Sequence, residues 1–120
     1  MQIATEKLPE LLIVSLCGRL DSTSTPEFQS SMREIIASGE ARVVIDCSEL
    51  RYVSSVGIGA FVQSAQTLGA AGGSLSFVGL TQHVRSVFEM VGLITFFQIF
   101  SSRQDAIKKF ETAPGPAVES

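Results

Sequence analysis

The chain has 120 residues, 45% of them hydrophobic, and a formal net charge of -3. That is the length of one domain with enough apolar material for a real core, which excludes wholesale disorder. The acidic balance and the lack of any Lys/Arg cluster exclude nucleic acid as the main partner and a polybasic membrane-binding surface.

No apolar run approaches the roughly 18 residues of a membrane span. The start, Met1 to Glu6, lacks a basic n-region and an apolar h-region. The expectation is a cytoplasmic protein without direct membrane insertion. Cys17 and Cys47 lie in apolar, strand-like surroundings without a C-x-x-C spacing, and read as two reduced, buried thiols.

Residues Ile3 to Lys7 predict a short polar edge strand, followed by a turn at Pro9-Glu10. Leu11 to Cys17 is apolar almost throughout, as in a strand covered on both faces, and Gly18-Arg19-Leu20-Asp21 ends it. A loop, Ser22 to Thr25, leads to a helix with Thr25 as N-cap and Pro26 at the first helical position. Phe28, Met32, Ile35 and Ile36 give that helix its apolar face, and Gly39 stops it. Ala41 to Cys47 predicts a third, buried strand, parallel to the second through a right-handed crossover.

A polar connection from Ser48 follows, and then a second helix from about Val56 to Ala70. Ile58, Phe61, Val62, Ala65 and Leu68 form its apolar stripe, and Gly72-Gly73 punctuates it. Ser74 to Gly79 predicts a fourth strand. Thr81 caps a third helix with Val84, Val87, Phe88 and Val91 on one face, ended by Gly92. Phe96 to Phe100 predicts a fifth strand. Ser102 and Asp105 resemble a capping box opening a last helix through about Thr112. Residues 113–120 read as a flexible tail, leaving one domain over residues 1–112.

The order β-β-α-β-α-β-α-β-α predicts an α/β fold with a single mixed, mostly parallel five-stranded sheet covered by about four helices. In such sheets, sites gather where loops leave the carboxyl ends of the strands. Asp21 to Thr25 and Ser48 to Ser55 are two such loops, and share a rim if their strands are neighbours.

Enzyme motifs are missing. Gly57-x-Gly59 has Val62 where a dinucleotide fingerprint needs its third glycine. There is no G-x-x-x-x-G-K-[ST] and no G-x-S-x-G. His83 is the only histidine and nothing places it beside a serine, so it reads as solvated or capping. Asp21, Asp46 and Glu49 could line one rim, but the first two read as strand-end turn formers and Glu49 as solvated. No catalytic residue, metal or cofactor is expected.

The serine pair is the informative feature. With a helix start near Val56, Ser55 is the expected N-cap, its hydroxyl facing the unpaired amides of the first turn. Gly57 and Gly59 leave bare backbone there, at a cost of up to about 1 kcal/mol each relative to alanine. No charged residue occurs between Arg51 and Arg85. A phosphate on such a neutral surface would add about -1.5 to -2 charges. The helix N-terminus would tolerate it, and a partner packed on the same patch would not.

Four stretches carry a resemblance to a known family. They are Gly18-Arg19-Leu20-Asp21, Val44 to Leu50, Tyr52-Val53-Ser54-Ser55-Val56-Gly57-Ile58-Gly59-Ala60-Phe61, and Val91-Gly92-Leu93 leading to Phe96 and Asp105-Ala106. The chain resembles the STAS domain family, specifically the small single-domain anti-sigma factor antagonists of bacteria. The resemblance implies a non-catalytic phosphoprotein in a partner-switching circuit of transcription regulation. Its unphosphorylated form would bind an anti-sigma factor that is also a serine kinase of the histidine-kinase-like ATPase type, freeing a sigma factor. A phosphatase would reset it.

Matching the motif puts the switch serine at Ser55, with Ser54 as the alternative acceptor. Asp21, Ser22, Thr23, Ser54, Ser55, Val56, Gly57, Ile58 and Gly59 are the expected partner-binding residues. Phosphorylatable members often carry Asp and Ser/Thr where this chain has Ser54 and Val56. The alternative is a constitutive scaffold or transporter-associated subunit without phosphorylation.

Overall fold

The computed structural model describes residues 1–112. The tail expected over 113–120 lies outside the described residues. The element order is β1 (Gln2–Lys7), β2 (Leu12–Leu20), α1 (Thr25–Ala37), β3 (Arg42–Val53), α2 (Ser55–Ala70), β4 (Ser74–Val78), α3 (Gln82–Met90), β5 (Gln98–Phe100) and α4 (Arg103–Thr112). One sheet runs β1-β2-β3-β4-β5, with β1 antiparallel to β2 and every later pair parallel. The expected fold class is therefore observed.

The central strands β2, β3 and β4 are largely buried on both faces, which is why β2 and β3 read as continuous apolar runs. Alternation still sorts the side chains. Leu12, Val14, Leu16, Val43, Ile45 and Phe77 face the core built with α1, α2 and α3. Leu11, Ile13, Val44 and Val78 face α4 through Ala106. Phe61 of α2 ties the larger core together, with ring centroids 5.4 Å from Phe28, 5.0 Å from Phe77 and 6.1 Å from Phe88. Edge-to-face pairs of this kind add about 0.5–1.5 kcal/mol each beyond area burial.

Two strands are longer than expected. Gly18-Arg19-Leu20 does not end β2 but continues it, with Gly18 at a φ of +116° that suits glycine. Ser48 to Val53 is strand rather than a polar connection. The ladder with β2 slips between Ser15 and Cys17 and again between Gly18 and Arg19. Each slip places one extra residue on β3, a bulge. The buried positions of that stretch are Cys47, Leu50 and Val53, three apart instead of two. The fifth strand is shorter than expected, Gln98–Phe100. Cys47 is buried and Cys17 only half-buried, and both thiols are free.

Asp46 is not a strand-end turn former. It sits inside β3 on the α4 side, 7% exposed. The Ser48 backbone N–H and hydroxyl donate to its Oδ1 at 2.9 and 2.7 Å. Arg103 Nε donates to Oδ2 at 2.6 Å. The same guanidinium reaches Ser15 Oγ at 2.8 Å and Glu6 Oε1 at 3.1 Å, so one residue of α4 holds three strands.

Burial alone would raise the Asp46 pKa, but the Ser48 bonds and then Arg103 outweigh it, so the carboxyl titrates below its ordinary 3.8. A depressed folded pKa means a contribution complete above 3.8 and lost as pH falls through the folded value. Asp46→Asn is expected to cost about 1.5–3 kcal/mol at neutral pH, the usual range for hydrogen bonds to a charged group. Its deficit against wild type should shrink below pH 3.8 in thermal melts across pH. Parallel wild-type and variant curves would count against this assignment.

Candidate functional site

Because β2 and β3 are parallel neighbours, their carboxyl ends deliver two segments to one rim. The segments are joined directly, since the Ser54 N–H donates to the Leu20 carbonyl at 2.9 Å. A Cβ on Gly57 would stand 2.9 Å from Leu20 Cγ and 2.9 Å from its carbonyl oxygen. No larger residue fits there without movement, so the first turn of α2 lies directly on the end of β2.

Ser54, not Ser55, is the N-cap of α2. Its backbone is extended (φ -91°, ψ 172°), and its hydroxyl accepts from the Gly57 N–H at 3.2 Å. Ser55 is the first helical residue and is exposed. Its hydroxyl has no hydrogen-bond partner among the described residues. No acidic residue stands in the first turn of α2. The positive end of the helix dipole therefore meets solvent beside Ser55 without a competing carboxylate.

The Asp21 loop is a closed hydrogen-bonded turn. Thr23 and Ser24 donate their N–H groups to Asp21 Oδ1 at 3.0 and 3.2 Å. Thr25 Oγ1 donates to the Asp21 carbonyl at 2.6 Å, and Ser24 Oγ donates to the Arg19 carbonyl at 2.7 Å. The N-cap of α1 is Ser24 rather than Thr25, and its side chain is spent on the turn instead of on the helix. The bond from Ser24 leads the causes that hold the Asp21 carboxyl below its ordinary pKa, so it carries full charge at neutral pH.

Of the nine expected partner-binding residues, Ser22, Thr23, Ser55, Val56 and Gly59 are exposed, and Asp21 and Ser54 are partly so. Gly57 and Ile58 face inward. Val56 is half exposed, an apolar side chain beside the free hydroxyl. The rim also holds a feature the sequence did not single out. The Arg19 guanidinium lies 4.2 Å over the Tyr52 ring, whose other neighbour is His83, stacked at 5.3 Å. The exposed His83 is thus a stacked residue at the start of α3, and nothing in the spacing of these three residues signals it.

The second and third strands of the mixed sheet thus meet the capped start of α2 at one rim, with an exposed serine there. The chain belongs to the STAS domain family: the family's sequence model matches residues 2–106. Within it the chain groups with the anti-sigma factor antagonists, which are binding proteins. It is 33% identical over 113 residues to Bordetella bronchiseptica BtrV, a protein named for that role, covering 94% of this chain and 97% of BtrV.

Solved structures share the fold. An anti-sigma factor antagonist from Mycobacterium paratuberculosis superposes with a TM-score of 0.83 at 22% identity, over 92% of this chain and 93% of that one. The Bacillus cell fate determinant SpoIIAA in its phosphorylated form gives 0.71 at 20% identity, over 90% and 98%. Among the described residues, no helix is long and apolar enough to cross a membrane and no cluster of metal-ligating side chains occurs.

Proposed function

We propose that this chain is a phosphorylation-switched binding module that captures an anti-sigma factor and so frees a sigma factor. The observation that carries the reading is the division of labour in the serine pair. Ser54 is engaged as the cap, which leaves the Ser55 hydroxyl exposed and unpaired at the first position of α2. A hydroxyl so placed is open to a kinase, and its phosphate would meet the helix N-terminus. The likeness to BtrV and the phosphorylated form of SpoIIAA support the same reading.

The partner is then an anti-sigma factor that is itself a serine kinase of the histidine-kinase-like ATPase type, with a phosphatase restoring the free hydroxyl. Ser54 stands where phosphorylatable relatives often carry an acid, and supplies a capping bond without a negative charge. The docking face consists of Ser55, Val56, Gly59 and the Asp21-Ser22-Thr23 turn.

Incubation with the cognate kinase-type partner and labelled ATP tests this. Wild type and Ser54→Ala are expected to incorporate phosphate, and Ser55→Ala to incorporate none. Label that persists in Ser55→Ala would move the acceptor elsewhere. No label in any of the three, with a large complex in lysate, would favour the constitutive scaffold or transporter-associated reading.

A further inference from the structure

Away from the Ser55 rim, the seam between α1 and α2 is not filled. Phe28 of α1 and Phe61 of α2 pack edge to face. Farther along, Met32 and Ile36 of α1 stand opposite Ser64 and Thr67 of α2. Two small polar side chains cannot fill the space opposite two large apolar ones. An open groove of about 520 Å³ remains, completed by Gln29, Arg33, Ala37 and Gln63. That volume falls in the range of small-molecule pockets, about 300–1,000 Å³.

The chemistry of the groove is asymmetric. Its apolar lining is Met32, Ile36 and Ala37, all from α1, and its α2 wall carries no charge over its whole length. Its single ionic group is the exposed Arg33 guanidinium, which has no ion-pair or hydrogen-bond partner among the described residues. The adjacent amides are partly self-satisfied, Gln29 Nε2 donating to Gln63 Oε1 at 3.4 Å.

An occupant must therefore present a linear apolar body and one anionic head. We propose that the α1–α2 groove binds a single-chain alkyl carboxylate, its tail along Met32 and Ile36 and its carboxylate paired with Arg33. A guanidinium fork suits a carboxylate because it can donate two parallel hydrogen bonds. The site stands apart from the Ser55 reading and survives its failure.

Calorimetric titration of the full chain with dodecanoate in detergent-free buffer, below its micelle concentration, tests the assignment. Saturable one-to-one binding is expected for wild type. Arg33→Gln should weaken it at least about tenfold, the loss of one charge-assisted contact. Ala37→Phe and Thr67→Phe, each adding a ring to the groove from an exposed helix position, should abolish it. Thermal melts confirm that the variants fold, and two separate plugs guard against one that does not. Absence of saturable binding would overturn the proposal, as would dodecanol binding as tightly as dodecanoate. So would undiminished binding in both plugged variants, or capture of an acidic amphipathic peptide in place of dodecanoate.

Discussion

Ser55→Glu is expected to abolish capture of the anti-sigma partner, while Ser55→Ala leaves capture intact. The two variants differ in a charge at the one exposed hydroxyl of the α2 N-terminus. In the free protein that charge is tolerated. Ser54 caps without an acid of its own, so an anion at Ser55 meets the helix dipole uncontested. The gain is about 0.3–1 kcal/mol, and Ser55→Glu should melt no lower than wild type.

In the complex the balance reverses. A partner seated on Val56, Gly59 and the neutral surface of α2 would remove the anion from water, with no cation on α2 to compensate it. An uncompensated buried charge costs about 3–5 kcal/mol, which is roughly a hundredfold to several thousandfold in affinity. Pull-down of the cognate partner by wild type, Ser55→Ala and Ser55→Glu measures this directly. Equal recovery by all three would refute the switch, whereas a lowered melting temperature of Ser55→Glu would reveal damage to the fold instead.

The sheet and its helices were legible because their signals are local and strong. Apolar runs, helical periodicity, Pro26 and the punctuating glycines place nine elements in the right order. Capping residues were legible to the residue at Thr81 and Ser102, but only to within one position at the starts of α1 and α2. In Ser24-Thr25 and Ser54-Ser55 two adjacent hydroxyls are chemically equivalent as caps, and at the second pair the cap is the residue whose backbone is extended. Ser54 is, because its N–H is tied to the Leu20 carbonyl, a contact between residues 34 apart in sequence.

Ser48 to Val53 was misread for a different reason. A strand announces itself by period two, and the two bulges spread Cys47, Leu50 and Val53 to a period of three. The polar residues between them then look like loop. The grip of Arg103 on Asp46 joins α4 to the middle of the sheet, and no spacing rule reaches across that interval. At the candidate site, the serine pair at the start of α2 was legible, but the cap is Ser54 where Ser55 was expected. The stack of Arg19, Tyr52 and His83 was not legible, because three elements assemble it.

The two glycines flanking the site should separate fold from docking. They look alike in sequence and stand in opposite environments. A methyl group at Gly57 would press on the Leu20 carbonyl and side chain at 2.9 Å. Gly57→Ala is expected to lose about 1–3 kcal/mol by overpacking, and to shift α2 against the Asp21 turn. At Gly59 a Cβ meets nothing within 4 Å and the position is exposed. Gly59→Ala removes a costly helical glycine and should gain about 0.5–1 kcal/mol in a urea or thermal melt. Yet Gly59 lies one helical turn beyond Ser55 on the same face, where a bare backbone lets a partner approach closely. The same variant is therefore expected to bind the anti-sigma partner more weakly while being the more stable protein. Loss of binding with gain of stability has no explanation in the fold, and it would place Gly59 within the docking surface. A stabilised Gly59→Ala with undiminished capture would instead confine that surface to Ser55, Val56 and the Asp21 turn.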